Sequence, residues 1–536
     1  MKKRSLQSIA ADYFDYLGRH IPQQCASDEF YFLPRSQAAL HHLNRLDDLA
    51  AERIEGHIEY VRNLSGEILQ DRKSDVEGEI DGLVLKQSME SFVREFQDAE
   101  VWRNDPTLYI KIPLFATDQA ISNMHGSREE ARANLQGILS QIPSFLATGA
   151  GNLNPPSKIA LEVALDMTRD ALLFYDQDIR AYIEQKMGSD RELIARNMAV
   201  MEAWERYGRE LLQLSAKNAF ALGEEGLGKI FSTSLSYGKT LDEILEIARE
   251  TYQKTEEKLH ALAGRIDGQK KWKHIIREQN TSVSSRAGLL KLYKEEVKKL
   301  RRFFHAQEVV SFPRGEKVTV LKTPSYLRSL RATASYKAPL TGNDKGHGIF
   351  YITPGEEDLA MISSHCPYLS AHETYPGHHI LDHLRMHHAN PIRRQIESPL
   401  FYEGWACYGE QLLDELGYIE DPRQKLIGLK RQQWRNLRTV LDIELHTGKM
   451  TPAQAAGEIQ ALGFSPARSQ RQIRRFCLTP GYQSCYFLGT YEIMGLRKRF
   501  SSLMGLRDFH DALLGGGEIP FHLVERRLRA GVDKEK

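Results

Sequence analysis

Apolar residues recur at helical spacing along most of this 536-residue chain, while strand-like alternation appears in one region only. The fold is therefore expected to be mainly α. Leu6, Ile9, Ala10, Tyr13, Phe14 and Leu17 put one apolar stripe on an opening helix. Leu40, Leu43, Leu46 and Leu49 predict another helix, and a third, from Thr240 to Ala263, starts with the capping box Thr240-x-x-Glu243. Residues 147–157 (Ala-Thr-Gly-Ala-Gly-Asn-Leu-Asn-Pro-Pro-Ser) predict a loop, and Lys291 to Arg302 the solvated face of a helix. The strand region holds Lys317-Val-Thr-Val-Leu and Gly348-Ile-Phe-Tyr-Ile-Thr353. Two readings of it stand: Ile349 to Ile352 offers a free edge to an extended peptide, or a hairpin covers the core.

So long a chain exceeds one simple core, and two or three helical lobes closing around a cleft are expected. A soft break near residue 230 separates an N-terminal helical lobe, 1–230, from a metal-binding helical domain, 231–536, with a small sheet within 308–353. Lys plus Arg total 72 and Asp plus Glu 71, so the net charge of +1 leaves no electrostatic footprint for nucleic acid or an anionic membrane. No stretch approaches the ~18 apolar residues of a spanning helix. The opening Met-Lys-Lys-Arg is followed by charges where a signal peptide needs an apolar run, which predicts no export. Five scattered cysteines, Cys25, Cys366, Cys407, Cys477 and Cys485, fit reduced thiols in a cytoplasm, and Cys366 reads as a buried thiol rather than a nucleophile.

The chemistry concentrates in His372-Glu-Thr-Tyr-Pro-Gly-His-His379. In the zincin motif HExxH two histidines one helical turn apart hold zinc and the Glu between them is the general base. Here the spacing is wider. On an ideal helix His378 lies ~240° around from His372, so the helix must break, and Pro376 and Gly377 are the residues that break it. His379 faces the same way as His372 but ~10 Å further along, so His378 is preferred over it as ligand. His379 and His383 make a rival i, i+4 pair without an adjacent Glu. A third ligand is expected from another helix. Glu403, a lone acid in the aromatic and apolar stretch Phe-Tyr-Glu-Gly-Trp-Ala, is costly to bury unless it is paired or metal-bound. Glu410, seven residues on, shares its face as a partner of the ligands or a substitute for Glu403.

His372-Glu-x-x-Pro-Gly-His-His379, Glu403-Gly-Trp-Ala-x-Tyr-x-Glu410, Asp442-x-x-x-His446-Thr and Pro480-Gly-x-x-x-x-Tyr486-x-x-Gly489 together resemble the successive motifs of the bacterial domain-of-unknown-function family 885. The resemblance spans about the last 300 residues and implies a gluzincin-like scaffold comparable to oligopeptidases and carboxypeptidases. Two departures stand out, Leu381 where the family often has Gln and Tyr482-Gln483 where it usually reads Gln-Ala. Carried over, Tyr486 is the phenol that donates to an oxyanion, with Tyr482 one turn earlier able to share that role or bind substrate. Arg475 matches the arginine before the Pro-Gly motif and is the candidate grip for a substrate carboxylate. His446, four residues after Asp442, suggests an imidazole oriented by a carboxylate near the substrate, against a plain helix C-terminal histidine.

The expected activity is hydrolysis of peptide amides by one zinc ion, with Glu373 activating water. Hydrolysis of a non-peptide amide is an alternative. Two histidines and a carboxylate also make the facial triad of iron oxygenases, though the Glu beside His372 disfavours it. A peptide-binding scaffold without turnover is the reading from another class.

Overall fold

The structure, a computed structural model, describes residues 4–68, 75–122, 127–279, 283, 285–324, 334–339, 347–353 and 359–535. They fall into two compact units, the residues up to Phe220 and almost all of those from Ala221 on. Both are mainly helical, and no helix among the described residues is long and apolar enough to cross a membrane.

In the first unit α1 (Leu6–His20) is capped by Ser5, whose side chain accepts from the Ser8 amide, and it buries Ile9, Ala10, Tyr13, Phe14 and Leu17. The helices α2 (Arg128–Asn152) and α3 (Arg191–Gln213) pack along each other. Two expectations fail here. Residues 40–49 form no α-helix: a 3-10 turn spans Gln37–His42, and the chain then runs irregularly while burying Leu43, Leu46 and Leu49. Leucines three apart throughout, with no partner at i+4, follow the period of a 3-10 turn rather than an α-helix. The expected loop at 147–157 shrinks to 153–157, because α2 continues through its Ala-Gly-rich end. Tertiary bonds hold that end against its low propensity: the Asn152 side-chain amide donates to the Leu49 carbonyl (2.7 Å) and the Tyr109 hydroxyl (2.9 Å).

The second unit opens with α4 (Leu241–Ile266), whose Thr240–Glu243 capping box is formed, and α5 (Arg286–Gln307), whose charged run faces solvent as expected. Three strands follow: β1 (Lys317–Lys322), β2 (Ala334–Lys337) and β3 (His347–Ile352). Their order is β1-β3-β2, with β1 parallel and β2 antiparallel to β3. Phe350 therefore pairs with Val320 on one side and Tyr336 on the other, so the free edge expected at Ile349 to Ile352 is absent; β1 and β3 run parallel and make no hairpin with each other, whereas the consecutive strands β2 and β3 pair antiparallel. Burial of Phe350, Tyr351 and Ile352 on both faces is what a central strand needs, and the apolar run records that position.

After the sheet come α6 (Cys366–Glu373), α7 (His378–Met386), α8 (Pro399–Glu415), α9 (Pro422–His446), α10 (Pro466–Leu478) and α11 (Cys485–Phe500). The α8 and α11 backbones touch where Gly404 meets Gly489: a Cβ on Gly489 would lie 1.9 Å from the Leu400 carbonyl oxygen and 2.6 Å from the Gly404 Cα. Gly489→Ala is expected to lower stability by roughly 1–3 kcal/mol, the usual cost of overpacking. Thermal unfolding checks this, and an unchanged midpoint would mean that the two helices separate without cost.

Candidate metal centre

The break in the histidine motif is built as a clamp. α6 ends at Glu373, α7 begins at His378, and the Gly377 amide donates back to the Ala371 carbonyl (3.0 Å). Only glycine fits there, since a Cβ would sit 1.9 Å from the His372 carbonyl oxygen. The Trp405 indole on α8 donates to the Pro376 carbonyl (2.7 Å) and ties the break to the helix that carries Glu403.

This turn brings His372 and His378 together, with ring centroids 4.7 Å apart, and both Nε2 atoms face one oxygen of Glu403: His372 at 3.3 Å and His378 at 3.7 Å from Oε2. All three residues are buried, and their ligand atoms lie within 4.8 Å of one another. Metal bonds of about 2.0–2.2 Å place tetrahedral ligand atoms roughly 3.4 Å apart, so the observed separations suit a zinc-sized ion. Glu403 Oε2 is buried with no hydrogen-bond donor among the described residues, whereas Oε1 accepts from the Tyr482 hydroxyl (2.5 Å). A bare carboxylate oxygen between two imidazoles is costly unless a cation joins them. The donor set therefore fits a divalent metal.

The other face of His372 is fixed as well. Its Nδ1 lies 3.0 Å from Glu410 Oε1 and 4.0 Å from Cys407 Sγ, leaving Nε2 as the atom turned toward Glu403. Glu410 is itself gripped by Arg431 on α9, through Nε (2.6 Å) and a terminal nitrogen (2.7 Å), and by Arg435. It is thus an orienting partner of His372 with two cations of its own. Burial pushes the Glu410 carboxyl up, but the two arginines hold it well below its ordinary value. For Glu403 burial likewise acts upward, and His372 and His378 bring it down to about 2. Burial alone would lower the His372 imidazole, yet Cys407, Glu403 and Glu410 raise it well above its ordinary value, so the cluster favours positive charge.

Glu373 is buried, and burial raises its carboxyl to about 7 against the pull of His372. Among the described residues it makes no hydrogen bond or ion pair. The Tyr486 ring lies parallel to that of His372 at 6.3 Å between centroids, and its hydroxyl is raised by burial and by Glu403. Arg475 is half-buried and close enough for its charge to oppose that rise.

Three expectations are corrected. Asp442 does not orient His446: it accepts from the Gly481 and Ser484 amides (3.1 Å each) and the Ser484 hydroxyl (2.9 Å), shaping the turn that delivers Tyr482 to Glu403. His446 is fully buried against α10, where its Nε2 donates to the Phe476 carbonyl (3.0 Å), and burial lowers it to about 4. That is the contact of a packed helix-end histidine, not of a catalytic group. The His379–His383 pair fails because His379 is committed elsewhere: Nε2 lies 2.9 Å from Glu316 Oε2 and Nδ1 3.1 Å from the Tyr336 hydroxyl on β2. Glu316 also accepts from Tyr375 (2.5 Å) and Arg301 (2.7 Å).

Residues that sequence reasoning missed are Glu316, Arg431, Arg435 and Arg438. The three arginines follow i, i+4, i+7 on α9, a stripe that periodicity alone could have found. Two other groupings of possible ligands occur among the described residues. His372, Cys407 and Glu410 form one, but arginines already neutralise Glu410. His20, Asp48 and His57 form the other, and there both ring nitrogens of His57 are taken, by the Tyr16 hydroxyl (2.8 Å) and the Asp48 carbonyl (3.1 Å).

A family model described as bacterial protein of unknown function, DUF885, matches residues 35–528. No curated protein matches the chain. Among solved structures, a protein from Colwellia psychrerythraea described as a "putative lipoprotein" is 20% identical with a TM-score of 0.83, the match covering 99% of this chain and 100% of that one. A "putative lipoprotein of unknown function" from Shewanella oneidensis is 18% identical with a TM-score of 0.78, covering 98% of this chain and 100% of that one. At such identities the likeness is one of fold.

Proposed function

The chain belongs to the DUF885 family of bacterial proteins, and for this member we propose hydrolysis of peptide amide bonds at a zinc site held by His372, His378 and Glu403. The observation that carries the reading is the convergence of two imidazole Nε2 atoms on a buried Glu403 oxygen that has no donor among the described residues, beside a Glu373 that makes no hydrogen bond or ion pair with them. A zinc ion held there supplies Lewis acidity and lowers the pKa of water.

The remaining chemistry belongs to side chains. Glu373 takes the proton of the attacking water and passes it to the leaving amine nitrogen. The Tyr486 phenol, kept protonated by burial, donates to the oxygen on which charge develops. Tyr482 fixes the Glu403 carboxylate through Oε1, and Glu410 fixes the His372 ring through Nδ1.

Incubation of the purified protein with a peptide library, with and without a chelator, tests the reading. Expected is cleavage that stops when the metal is removed and returns when zinc is restored. Cleavage indifferent to chelator contradicts it, and so does a metal-loaded protein that binds peptides without cutting them.

The cytoplasm is the location we propose, because all five cysteines are buried thiols outside any disulfide. Recovery of the protein with membranes on cell fractionation would overturn this.

A further inference from the structure

The stripe Arg431, Arg435, Arg438 on α9 carries three cations toward the centre, and they are not used alike. Arg431 and Arg435 are both spent on Glu410. Among the described residues Arg438 forms no ion pair. One terminal nitrogen donates to the Gln483 side-chain oxygen (2.5 Å), and its Nε is buried with no acceptor among those residues. The nearby Asp442 is committed to the Gly481 and Ser484 turn. The guanidinium lies over the Tyr486 ring, its central carbon 3.5 Å from the ring centroid. A half-buried cation short of an acceptor is prepared for an anion that the described residues do not provide.

Its position says which anion. The Tyr486 ring centroid lies 3.5 Å from the Arg438 guanidinium carbon and 6.3 Å from the His372 ring centroid. The guanidinium therefore lies no more than about 10 Å from a metal ligand, and an extended peptide spans ~3.3–3.6 Å per residue. A carboxylate one or two residues beyond the bond being cut falls within that reach. Arg475, whose charge is also felt at the Tyr486 hydroxyl, adds positive potential near that ring.

We propose that Arg438 binds the free C-terminal carboxylate of the substrate, so that the enzyme removes one or two residues from the C-terminus of a peptide. This deepens the peptide-hydrolase reading and rests on it. The carboxylate accepts from the guanidinium edge that Gln483 does not occupy, while contact with the Tyr486 ring restrains the guanidinium.

Two N-acetylated pentapeptide pools, identical except for a free-acid or an amidated C-terminus, provide the test. They are passed over immobilised, zinc-loaded Glu373→Gln protein and retention is read by mass spectrometry. In parallel, products formed by the wild-type enzyme are sequenced. The free acids should be retained at least ~10-fold better than the amides, the worth of a charge-assisted contact, and products should lack one or two C-terminal residues. Adding Arg438→Gln should remove the preference. Equal retention of the pools, or cleavage at internal bonds, overturns the inference and leaves the hydrolase reading standing. A preference that survives Arg438→Gln overturns the assignment to this residue. If neither pool is retained or cut, both readings fall. The comparison of acid with amide uses intact Arg438, so it decides even if the arginine variant does not fold.

Discussion

Glu373→Gln is expected to keep near-normal metal content and folding while peptide hydrolysis falls at least ~100-fold, the scale of a positioned acid–base group. Its carboxylate ends α6, next to the ligand His372, yet it makes no hydrogen bond or ion pair among the described residues, so no structural bond is lost. Glutamine preserves size and removes basicity. Burial, which pushes the Glu373 carboxyl up to about 7, places the group where it can accept a proton and return it near neutrality. Metal analysis of the variant beside its turnover separates the two properties. Loss of metal would make Glu373 a ligand, and full activity would move the base to another group.

Much of this was readable in the chain, for reasons that individual residues make plain. The Pro376-Gly377 break follows from a missing amide and a missing Cβ, both local properties, and it fixed where His378 has to lie. Glu403 stood out because a lone acid among aromatic and apolar neighbours requires a partner. What escaped depends on partners distant in sequence. β2 has four residues, too few for an alternating pattern to register, and without it β3 looked like a free edge. The Asp442–His446 spacing is that of a helical pair, but Asp442 turns to the Gly481–Ser484 turn and His446 to Phe476, contacts that periodicity does not encode. The i+3 spacing of Leu40, Leu43, Leu46 and Leu49 marked burial correctly and helix type wrongly.

The choice between His378 and His379 is where sequence spacing was least decisive and where the structure has a definite consequence. His379 is fully buried in a network with Glu316, Tyr375, Arg301 and Tyr336, and Glu316 is held down at about 2, against the effect of burial, by His379, Tyr375 and Arg301. Its removal should cost stability without touching the ion. His378 instead stacks on Tyr402, centroids 3.8 Å apart, and turns Nε2 toward Glu403. Under the proposed ligand set its removal takes away one of three bonds to the metal. His372→Ala should behave in the same way as His378→Ala, because its Nε2 is the nearer of the two imidazole nitrogens that face Glu403 Oε2.

Metal content per folded chain, measured after dialysis, tests the central claim most directly. The wild type and His379→Asn, a variant that keeps polar atoms for Glu316 and Tyr336, are predicted to hold about one zinc each. His372→Ala and His378→Ala are predicted to hold none while remaining folded by circular dichroism. A folded His378→Ala that retains its zinc, or a folded His379→Asn that loses it, would contradict the assignment of the site.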